Sequence, residues 1–406
     1  MATKQLAIHG GKPIAEGQFI HTAWPPVCEA TAEKLKQLYL SRAWSFNSPK
    51  EQEFEQAFAA YHGAKHGIFM TNGTVTLECA LKVVGVGPGD EVIVPALTWI
   101  ATAAAVKYVG AKVVFADIEP TTAALDPADF EARITPRTKA VIPVHLYGGM
   151  ADLDRIIAIA KKHNIAVIED CAHMQGGKWR ERGVGSWGDV GSFSFQQSKT
   201  LSAGESGICL TNDDKLAELL YRAKHIGYSR YDQQGQAGTP PPPGLLCHNY
   251  RGLAFCAQIL LDQLEGLSAV IERYNAFTER FRELSRDIAG FQPQAPGRMA
   301  SPQGYYAYGL IFAGPEWDDV PKARILQALR AEGIPGLNAT YGPVYKHLLF
   351  NLNAEDYRND GCPVADRLCE RMIVLMHQHM THRANADLLA GAIHKIAENR
   401  KELCEC

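Results

Sequence analysis

A single lysine, Lys199, follows a short alternating apolar run within SFSFQQSKTLSAGESG, residues 192–207. Most lysines lie on solvated faces, where the amine is protonated and not nucleophilic. Burial or a nearby positive charge lowers the amine pKa and allows Schiff-base chemistry with a carbonyl compound. Ser192, Ser194 and Ser198 place hydroxyl groups close to this lysine in the sequence. The segment therefore predicts a reactive lysine beside a ligand that needs hydroxyl donors, such as a phosphate.

Two further segments carry groups that complement such a lysine. TNGTVTLECAL, residues 71–81, has the pattern of a strand end, a glycine, a threonine and an amphipathic helix. This order points free backbone N–H groups and the helix dipole at an anion, although ordinary turns also use NGT. AVIED ends an apolar run with Asp170, which either caps the next helix or keeps a ring nitrogen protonated. A lysine, an anion cradle and an acid together predict a site for pyridoxal 5′-phosphate.

Seven short apolar runs, with helical patterns between several of them, are the elements that must position these groups. Near-continuous apolar strands separated by helices indicate an α/β fold with a mostly parallel sheet covered on both faces. In such sheets ligands bind at the carboxyl ends of the strands, where the candidate residues lie. The predicted strands are residues 66–71, 91–96, 112–118, 140–146, 166–170, 191–195 and 207–212.

The second half of the chain predicts a smaller unit. Residues 231–247 include four consecutive prolines, which exclude a helix or a central strand and favour an exposed loop. The following segment, through about residue 284, has helical periodicity over its whole length. We expect a large domain over residues 1–265, including the N-terminal segment, and a small C-terminal α/β domain over residues 266–406.

Composition and termini exclude several classes of protein. The 406 residues include 46% hydrophobic and 21% charged residues, with a net charge of -3 and no basic block. These values are ordinary for a soluble globular protein with a large core and give no sign of nucleic-acid or membrane binding. The sequence has no secretory signal pattern and no long apolar run, so we expect a cytoplasmic protein. The ten cysteines form no CxxC pair, which favours reduced thiols.

Two motifs superficially suggest a dinucleotide-binding loop and a metal site, but their context favours neither. GVGPGD, residues 85–90, follows a helix and precedes a strand, which is the reverse of the order in a dinucleotide-binding loop. The histidines of VLMHQHMTH, residues 374–382, have no carboxylate or cysteine at metal-ligand spacing, so we expect no metal. A substrate contact from His377 or His379 remains an open alternative.

The sequence resembles the DegT/DnrJ/StrS family of sugar aminotransferases over almost its whole length. This resemblance implies the fold-type I architecture, with a mostly parallel seven-stranded sheet in a large domain and a smaller C-terminal α/β domain. FSFQQSKTL and LAIHGGKPI are similar to the cyclitol subgroup, such as the L-glutamine:scyllo-inosose aminotransferases of aminoglycoside pathways. The motifs that carry the family resemblance are TNGTVTLECAL, EVIVPALTWIATAAAV, VHLYGGMADLD, IEDCAHMQGG, GDVGSFSFQQSKTLSAGESG and HNYRGLAFCAQI.

The resemblance assigns catalytic roles by position. It implies that Lys199 forms the Schiff base with pyridoxal 5′-phosphate and later moves protons. Asp170 would pair with the pyridinium nitrogen, His173 would lie near the phenolic oxygen, and Trp99 would stack on the ring.

The resemblance also assigns phosphate ligands. Asn249 and Arg251 match positions that reach the phosphate of the neighbouring subunit, which implies a homodimer with shared active sites. The family loop after the lysine reads GEGG, whereas this chain has Ser206 in place of a glycine. A positive φ at that position would therefore be strained. The ligands implied within one chain are Gly73, Thr74, Val75 and Ser194.

The expected activity is transfer of an amino group from glutamine or glutamate to a keto-cyclitol or keto-sugar. A nucleotide-linked keto-sugar is an alternative acceptor, which the absence of a basic cluster disfavours. A dehydratase like aminohydroxybenzoate synthase, which uses the same lysine, stays open. Dehydratases that carry histidine instead are disfavoured by Lys199, and a non-enzymatic sensor would need a DNA-binding extension.

Overall fold

The computed structural model describes residues 5–45, 48–233, 235–236 and 238–404, and its centre is a large mixed sheet. In the described residues this sheet has eight strands in the order β1-β9-β8-β5-β4-β2-β3-β13. The strands are β1 (His66–Met70), β2 (Glu91–Pro95), β3 (Lys112–Ala116), β4 (Thr138–Val141), β5 (Ala166–Asp170), β6 (Lys178–Trp179), β7 (Arg182–Gly183), β8 (Val190–Ser194), β9 (Gly207–Thr211), β10 (Phe291–Pro293), β11 (Ala307–Phe312), β12 (Leu337–Ala339), β13 (Tyr357–Arg358) and β14 (Met372–Met376).

Helices cover the sheet and connect most of its strands, as the alternation of patterns predicts. The helices are α1 (Glu29–Ser41), α2 (Pro49–His62), α3 (Gly73–Val83), α4 (Ile100–Tyr108), α5 (Pro127–Arg133), α6 (Leu153–His163), α7 (Asp214–Lys224), α8 (Ala254–Glu265), α9 (Leu267–Ser285), α10 (Lys322–Ala331), α11 (Pro363–Arg371) and α12 (Ala384–Glu398). Strands β2 and β8 are buried at every position, which explains the apolar run after Glu91 in β2 and the apolar and small residues of β8.

All seven predicted strands are present, and the α/β, mostly parallel fold class is confirmed. β9 runs antiparallel to its neighbours β1 and β8. The eighth strand, β13, comes from the C-terminal region and pairs parallel with the edge strand β3. Two residues are too short to give a readable pattern, so only the folded chain reveals this strand.

β4 is shorter than the predicted strand over residues 140–146, because its ladder ends at Val141. Pro143 lies just beyond this end and has no N–H to donate to a ladder. The chain then turns toward β5, where the His145 N–H donates to the Asp170 carbonyl. This contact brings the end of the β4 segment onto the candidate acid.

A second, antiparallel sheet with the order β10-β11-β14-β12 forms the C-terminal layer. The long helical pattern before it is two helices, α8 and α9, with Gly266 between them and a bend of 56°. No single helix in the described residues is long and apolar enough to cross a membrane, although this bent pair passes the same test when taken together. The domain boundary at residues 265 and 266 stays a prediction.

The N-terminal segment packs against this C-terminal layer. The fully buried Glu332 carboxylate accepts hydrogen bonds from the Ala7 N–H (2.8 Å) and the Ile14 N–H (3.0 Å), and it pairs with Lys395. Farther along, the Asn385 amide exchanges two hydrogen bonds with the backbone of Ile20. These contacts direct residues 21–28 toward the end of the large sheet where the candidate lysine lies.

Candidate active site

A cavity of about 870 Å³ opens at the carboxyl ends of β1, β2, β5 and β8. Eight of the ten predicted site residues line it. They are Gly73, Thr74, Val75, Trp99, Asp170, His173, Ser194 and Lys199. Asn249 and Arg251 are not part of this lining, and the roles of all ten residues stay predictions.

One wall of the cavity is the start of α3 against the end of β8. We call residues 72–75 and Ser194 the helix wall. A Cβ atom built on Gly73 would lie 2.6 Å from the Ser194 Cβ, so glycine is required for this close approach. The Asn72 side chain caps α3, because its Oδ1 accepts from the N–H groups of Thr74 (3.1 Å) and Val75 (3.0 Å).

This cap changes what the helix wall can offer an anion. The Val75 N–H, a predicted phosphate donor, already donates to Asn72, so a phosphate would have to share or displace that bond. The Thr74 hydroxyl has no hydrogen-bond partner among the described residues. The wall therefore presents hydroxyl groups and the positive end of the α3 dipole to the cavity.

Asp170, the last residue of β5, is 5% exposed and hydrogen-bonded at both carboxylate oxygens. Oδ2 accepts from the Thr102 hydroxyl at 2.9 Å, and Oδ1 accepts from the Ala172 N–H at 3.2 Å. Thr98 extends the network, since its hydroxyl is 2.9 Å from that of Thr102. Burial raises the pKa of Asp170, while these donors and the nearby Lys199 favour its ionised form. A cation at this end of the cavity would stabilise the carboxylate.

Lys199 extends into the cavity from the loop after β8. Burial lowers the pKa of Lys199 to about 8, and the carboxylates of Asp170 and Glu205 limit the shift. Its ammonium lies 4.3 Å from the centre of the Tyr306 ring. The side chain is therefore the partly buried, pKa-lowered amine that the sequence predicts.

His173 stacks on Tyr306 with ring centres 4.0 Å apart and an angle of 22° between planes. We call His173, Tyr306 and Tyr341 the aromatic wall. Burial lowers the pKa of His173 well below its usual value, and Lys199 and His377 add to this shift. The ring is thus neutral at physiological pH.

The neutral His173 ring has one defined donor. Its Nδ1 accepts from the Tyr147 N–H at 3.2 Å, so the ring proton is on Nε2. A neutral imidazole with Nε2–H is a hydrogen-bond donor for an oxygen of a bound ligand.

Trp99 leaves much of its indole uncovered on the cavity. It is 51% exposed and directly precedes α4. Its ring lies 5.3 Å from that of Tyr341 at an angle of 53°. An indole exposed at a cavity mouth is available to stack on a planar ligand.

Asn249 and Arg251 lie on either side of Tyr250, which does line the cavity. Asn249 is exposed and bridges to His225 through the backbone, while an Arg251 guanidinium nitrogen is 2.9 Å from His225 Nδ1. Neither side chain forms part of the lining in its own chain. Their predicted contact is with a second subunit.

The cavity lining carries more acids than cations. Among its described residues, Lys199 is the one Lys or Arg side chain, against the carboxylates of Glu78, Asp170 and Glu205. A bound phosphate or an amino-acid carboxylate would therefore need positive charge from outside this lining.

A buried group of His145, Glu169 and Cys171 has atoms close enough to hold a metal ion. Glu169 instead accepts from the N–H groups of Gly185, Trp187 and Gly188, each at 2.8 Å.

The remaining donor atoms of this group are also occupied or protonated. The Ala151 N–H donates to His145 Nδ1, so the ring proton is on Nε2, which points at Glu169. Burial raises the pKa of Cys171 well above its usual value and keeps the thiol protonated. This group is a hydrogen-bonded core cluster without a deprotonated donor set for a metal.

The serine in GESG causes no backbone strain. The positive φ of this loop falls at Gly204 (81°) and not at Ser206. Ser206 is buried, and its hydroxyl donates to the neighbouring Glu205 carbonyl. The strain that a positive φ would bring is therefore absent.

Sequence reasoning missed three residues that shape the site. Thr102 lies on α4 four residues after Thr98, which precedes that helix, and this spacing was the available signal. Tyr306 had no local signal, because it reaches the cavity from a segment far from the lysine in sequence. Tyr250 lies within the HNYR motif, between Asn249 and Arg251, but was not singled out.

Comparison with known proteins agrees with this geometry. Residues 27–394 match the DegT/DnrJ/EryC1/StrS aminotransferase family. The L-glutamine:2-deoxy-scyllo-inosose aminotransferase of Streptoalloteichus tenebrarius is 35% identical, over 98% of this chain and 99% of that protein. The enzyme of the same name from Micromonospora echinospora is also 35% identical over 98% and 99% of the two chains.

A solved structure has the same architecture. The crystal structure of 3-amino-5-hydroxybenzoic acid synthase superposes with a TM-score of 0.83 at 29% identity, covering 93% of this chain and 99% of that one. The match to the family spans most of the chain, and the relatives match it nearly end to end. The chain therefore belongs to the DegT/DnrJ/EryC1/StrS aminotransferase family.

Proposed function

We propose that this aminotransferase binds pyridoxal 5′-phosphate at Lys199 and transfers an amino group from glutamine to a keto-cyclitol. The observation that carries the proposal is the meeting of Lys199 with Asp170 in one cavity. The amine has a pKa of about 8, and the carboxylate lies at a strand end with both oxygens hydrogen-bonded. This pair supplies a nucleophilic amine and a counter-ion for a ring cation, which are the two groups that the cofactor requires.

The chemistry of the lining fits the cofactor along its length. The helix wall offers hydroxyls and a helix N-terminus at one end, which suits a phosphate. Trp99 offers an exposed indole face to a planar ring, and His173 offers an Nε2–H to an oxygen substituent. The buried carboxylate of Asp170 has the charge that would hold a proton on the ring nitrogen.

When bound, the cofactor supplies a carbonyl that links covalently to amines and a protonated ring that withdraws electrons. Asp170 keeps that ring nitrogen protonated through its buried carboxylate. Lys199 would hold the cofactor covalently, and once a donor amine had replaced it, its free amine would be the base that takes the donor α-proton and the acid that returns it. Holding the amine beside the α-carbon replaces a bimolecular encounter with a local transfer. The same residues act in reverse on the acceptor.

The proposed substrates are supported by relatives and by charge. The two curated relatives described above are named for glutamine as donor and 2-deoxy-scyllo-inosose as acceptor. The cavity lining carries Glu205 and the phenols of Tyr108, Tyr250 and Tyr341, together with Glu78, which pairs with Lys82. It has no Arg and no second Lys among the described residues. Such a surface suits an uncharged polyol and repels a nucleotide diphosphate. Glutamate remains a second possible donor.

A homodimer with shared sites belongs to this proposal. A dianionic phosphate and the donor carboxylate need cations that the described lining does not provide. Arg251 of a second copy would supply a cation at the helix wall, and Asn249 of that copy would add an amide N–H donor. A cytoplasmic location is likewise proposed.

The test follows the absorbance of the cofactor-loaded protein. Addition of glutamine should bleach the band of the lysine-linked cofactor, and 2-deoxy-scyllo-inosose should restore it. A nucleotide keto-sugar that restores the band better than any keto-inositol would replace the proposed acceptor. Loss of water from an acceptor without amino transfer would favour a dehydratase like the 3-amino-5-hydroxybenzoic acid synthase that superposes on this chain. A band that does not respond to any donor would overturn the enzymatic proposal.

A further inference from the structure

The two peptide carbonyls on either side of the Lys199 Cα each accept a hydrogen bond from a distant aromatic side chain. The Ser198 carbonyl lies 2.9 Å from His377 Nε2. The Lys199 carbonyl accepts from the Trp24 indole N–H, also at 2.9 Å. Trp24 lies 175 residues before the lysine and His377 lies 179 residues after Ser198, so neither contact is a product of local chain geometry.

The direction of the His377 bond is fixed by its surroundings. A carbonyl oxygen only accepts, so His377 Nε2 carries a proton and donates to Ser198. His377 Nδ1 lies 2.8 Å from the Tyr274 hydroxyl, which donates to it when the ring is neutral. Both His377 and Tyr274 are fully buried, so neither nitrogen of the His377 ring is available to solvent. The imidazole is thus held in one orientation with its donor aimed at the lysine loop.

The two aromatic side chains also contact each other. The Trp24 and His377 rings meet edge to face, with centres 4.7 Å apart at 88°. The backbone N–H of His377 donates to the backbone carbonyl of Tyr306. The Tyr306 ring faces the lysine ammonium. We call Trp24 and His377 the carbonyl clamp.

We propose that the carbonyl clamp positions Lys199, fixing the lysine backbone while the side chain is detached from the cofactor. This inference rests on the proposed function. While Lys199 is covalently linked, the cofactor itself restrains the amine. Once the donor displaces it, only the backbone determines where the four-carbon side chain starts. Proton transfer then depends on that starting point, because a displacement of about 1 Å costs on the order of 100-fold in rate.

The chain offers matched controls for each half of the clamp. The Trp317 indole N–H donates to the Ala289 carbonyl at 3.0 Å, and His394 Nε2 lies 2.8 Å from the Leu284 carbonyl. Both bonds join a ring N–H to a backbone carbonyl outside the cavity. Trp317→Phe and His394→Phe therefore remove the same kind of bond without contact with Lys199.

The first measurement uses the protein without cofactor. The pKa of Lys199 is obtained from the pH dependence of its acetylation by acetic anhydride, read by mass spectrometry. The charged groups and rings that face this amine are Asp170, Glu205, His173, His377 and Tyr306.

Trp24→Phe leaves all of these groups in place. We expect it to raise the Lys199 pKa from about 8 toward its ordinary value, because a loosened backbone lets the amine reach water. Trp317→Phe should leave the value unchanged.

The second measurement uses the cofactor-loaded protein in single turnover with glutamine. Trp24→Phe and His377→Phe should each slow the half-reaction by about tenfold or more, with a smaller change in the glutamine concentration for half-maximal rate. His377→Gln retains an N–H donor and should recover part of the rate. The His394→Phe control should keep the rate of the unmodified protein.

The outcomes separate the clamp from the proposed function. If Trp24→Phe matches Trp317→Phe in both the lysine pKa and the half-reaction rate, the clamp is a structural contact and the inference is wrong. If His377→Phe does not fold, Trp24→Phe still decides the matter. If the unmodified protein does not bind the cofactor, the proposed function fails, while the acetylation profile still tests whether Trp24 holds the amine.

Discussion

The helix wall and the aromatic wall face the same cavity but are built in different ways. The helix wall joins two short segments through backbone shape, since the Gly73 Cα approaches Ser194 too closely for any side chain. The aromatic wall is assembled from side chains that follow β5, precede β11 and follow β12, and its members meet through ring contacts. The helix wall depends on the missing side chain of Gly73, and the aromatic wall depends on the rings of its three residues.

This difference teaches that the two walls should fail differently. A rigid backbone wall that receives a phosphate should control how tightly the cofactor binds. The lysine, its acid and the aromatic wall should control how fast protons move once the cofactor is there. This division is wrong if substitutions in either wall change cofactor affinity and turnover rate together.

The largest effect is expected from Asp170→Asn. The amide keeps the shape of the side chain but removes the charge that, under the proposed function, would hold a proton on the ring nitrogen. We expect kcat to fall by about 100-fold or more, a larger factor than the loss of cofactor affinity. Steady-state kinetics and a cofactor titration measure the two quantities on one preparation.

Asp117→Asn is a matched control for this change. Asp117 is 7% exposed, and its carboxylate accepts from the N–H groups of Val364 and Ala365 at the start of α11. Its loss should lower the free energy of unfolding while kcat per folded molecule stays the same. If both variants lose activity in proportion to their stability, Asp170 has no electrostatic role.

The next effect is the pH dependence of the lysine. The pKa of Lys199 is about 8, so the rate at which the protein links to added cofactor should rise about tenfold per pH unit below that value and then level off. Glu205 stabilises the ammonium and raises this pKa. Glu205→Gln removes that charge, so the midpoint should move to lower pH. A midpoint that stays near 10.5 would show that Lys199 is solvated.

The helix wall is tested by Gly73→Ala. Its new Cβ would lie 2.6 Å from the Ser194 Cβ, so the start of α3 must shift. Overpacking of this kind costs about 1–3 kcal/mol, which predicts a cofactor Kd raised by about tenfold with a smaller change in kcat. The double variant with Ser194→Gly should recover only part of the affinity, because the Ser194 Cα would still lie 3.2 Å away. A fall in kcat without a change in Kd would remove the distinction between the walls.

The same contrast explains what the sequence predicts. Gly73, Asp170 and Lys199 each follow or end a strand with a readable pattern, so their common location follows from parallel-sheet topology. The resemblance to a known family added their roles, but not the supporting contacts. The Asn72 cap on the Val75 N–H was not expected, because it depends on a side-chain rotamer.

The contacts that the sequence does not predict join segments far apart in the chain. Trp24, Tyr306 and His377 meet the lysine loop only after the C-terminal sheet packs against the large one. Such contacts produce no periodicity or residue spacing in the sequence from which they could be predicted. The break at Gly266 is hidden for a related reason, because the helical periodicity of the sequence continues across the glycine while the two helices meet at 56°.

The smallest effects should come from single hydroxyls, and they compare the walls directly. Tyr306→Phe keeps the ring that stacks on His173 and faces Lys199. It removes the hydroxyl contacts of Tyr306 with Ser198 Oγ, at 3.1 Å, and with Tyr341. One hydrogen bond contributes about 1 kcal/mol, so kcat should fall by about fivefold. Thr74→Val removes one hydroxyl from the helix wall and should raise the cofactor Kd by a similar factor while kcat is kept.

Tyr306→Leu completes this pair by removing the aromatic face as well as the hydroxyl. Loss of the stacking on His173 and of the ring over the ammonium should lower kcat clearly more than Tyr306→Phe does. If Phe and Leu at this position give equal rates, the ring contacts that define the aromatic wall do not contribute to turnover. The two walls would then differ in how they are built, but the aromatic rings would give no separate control of the rate.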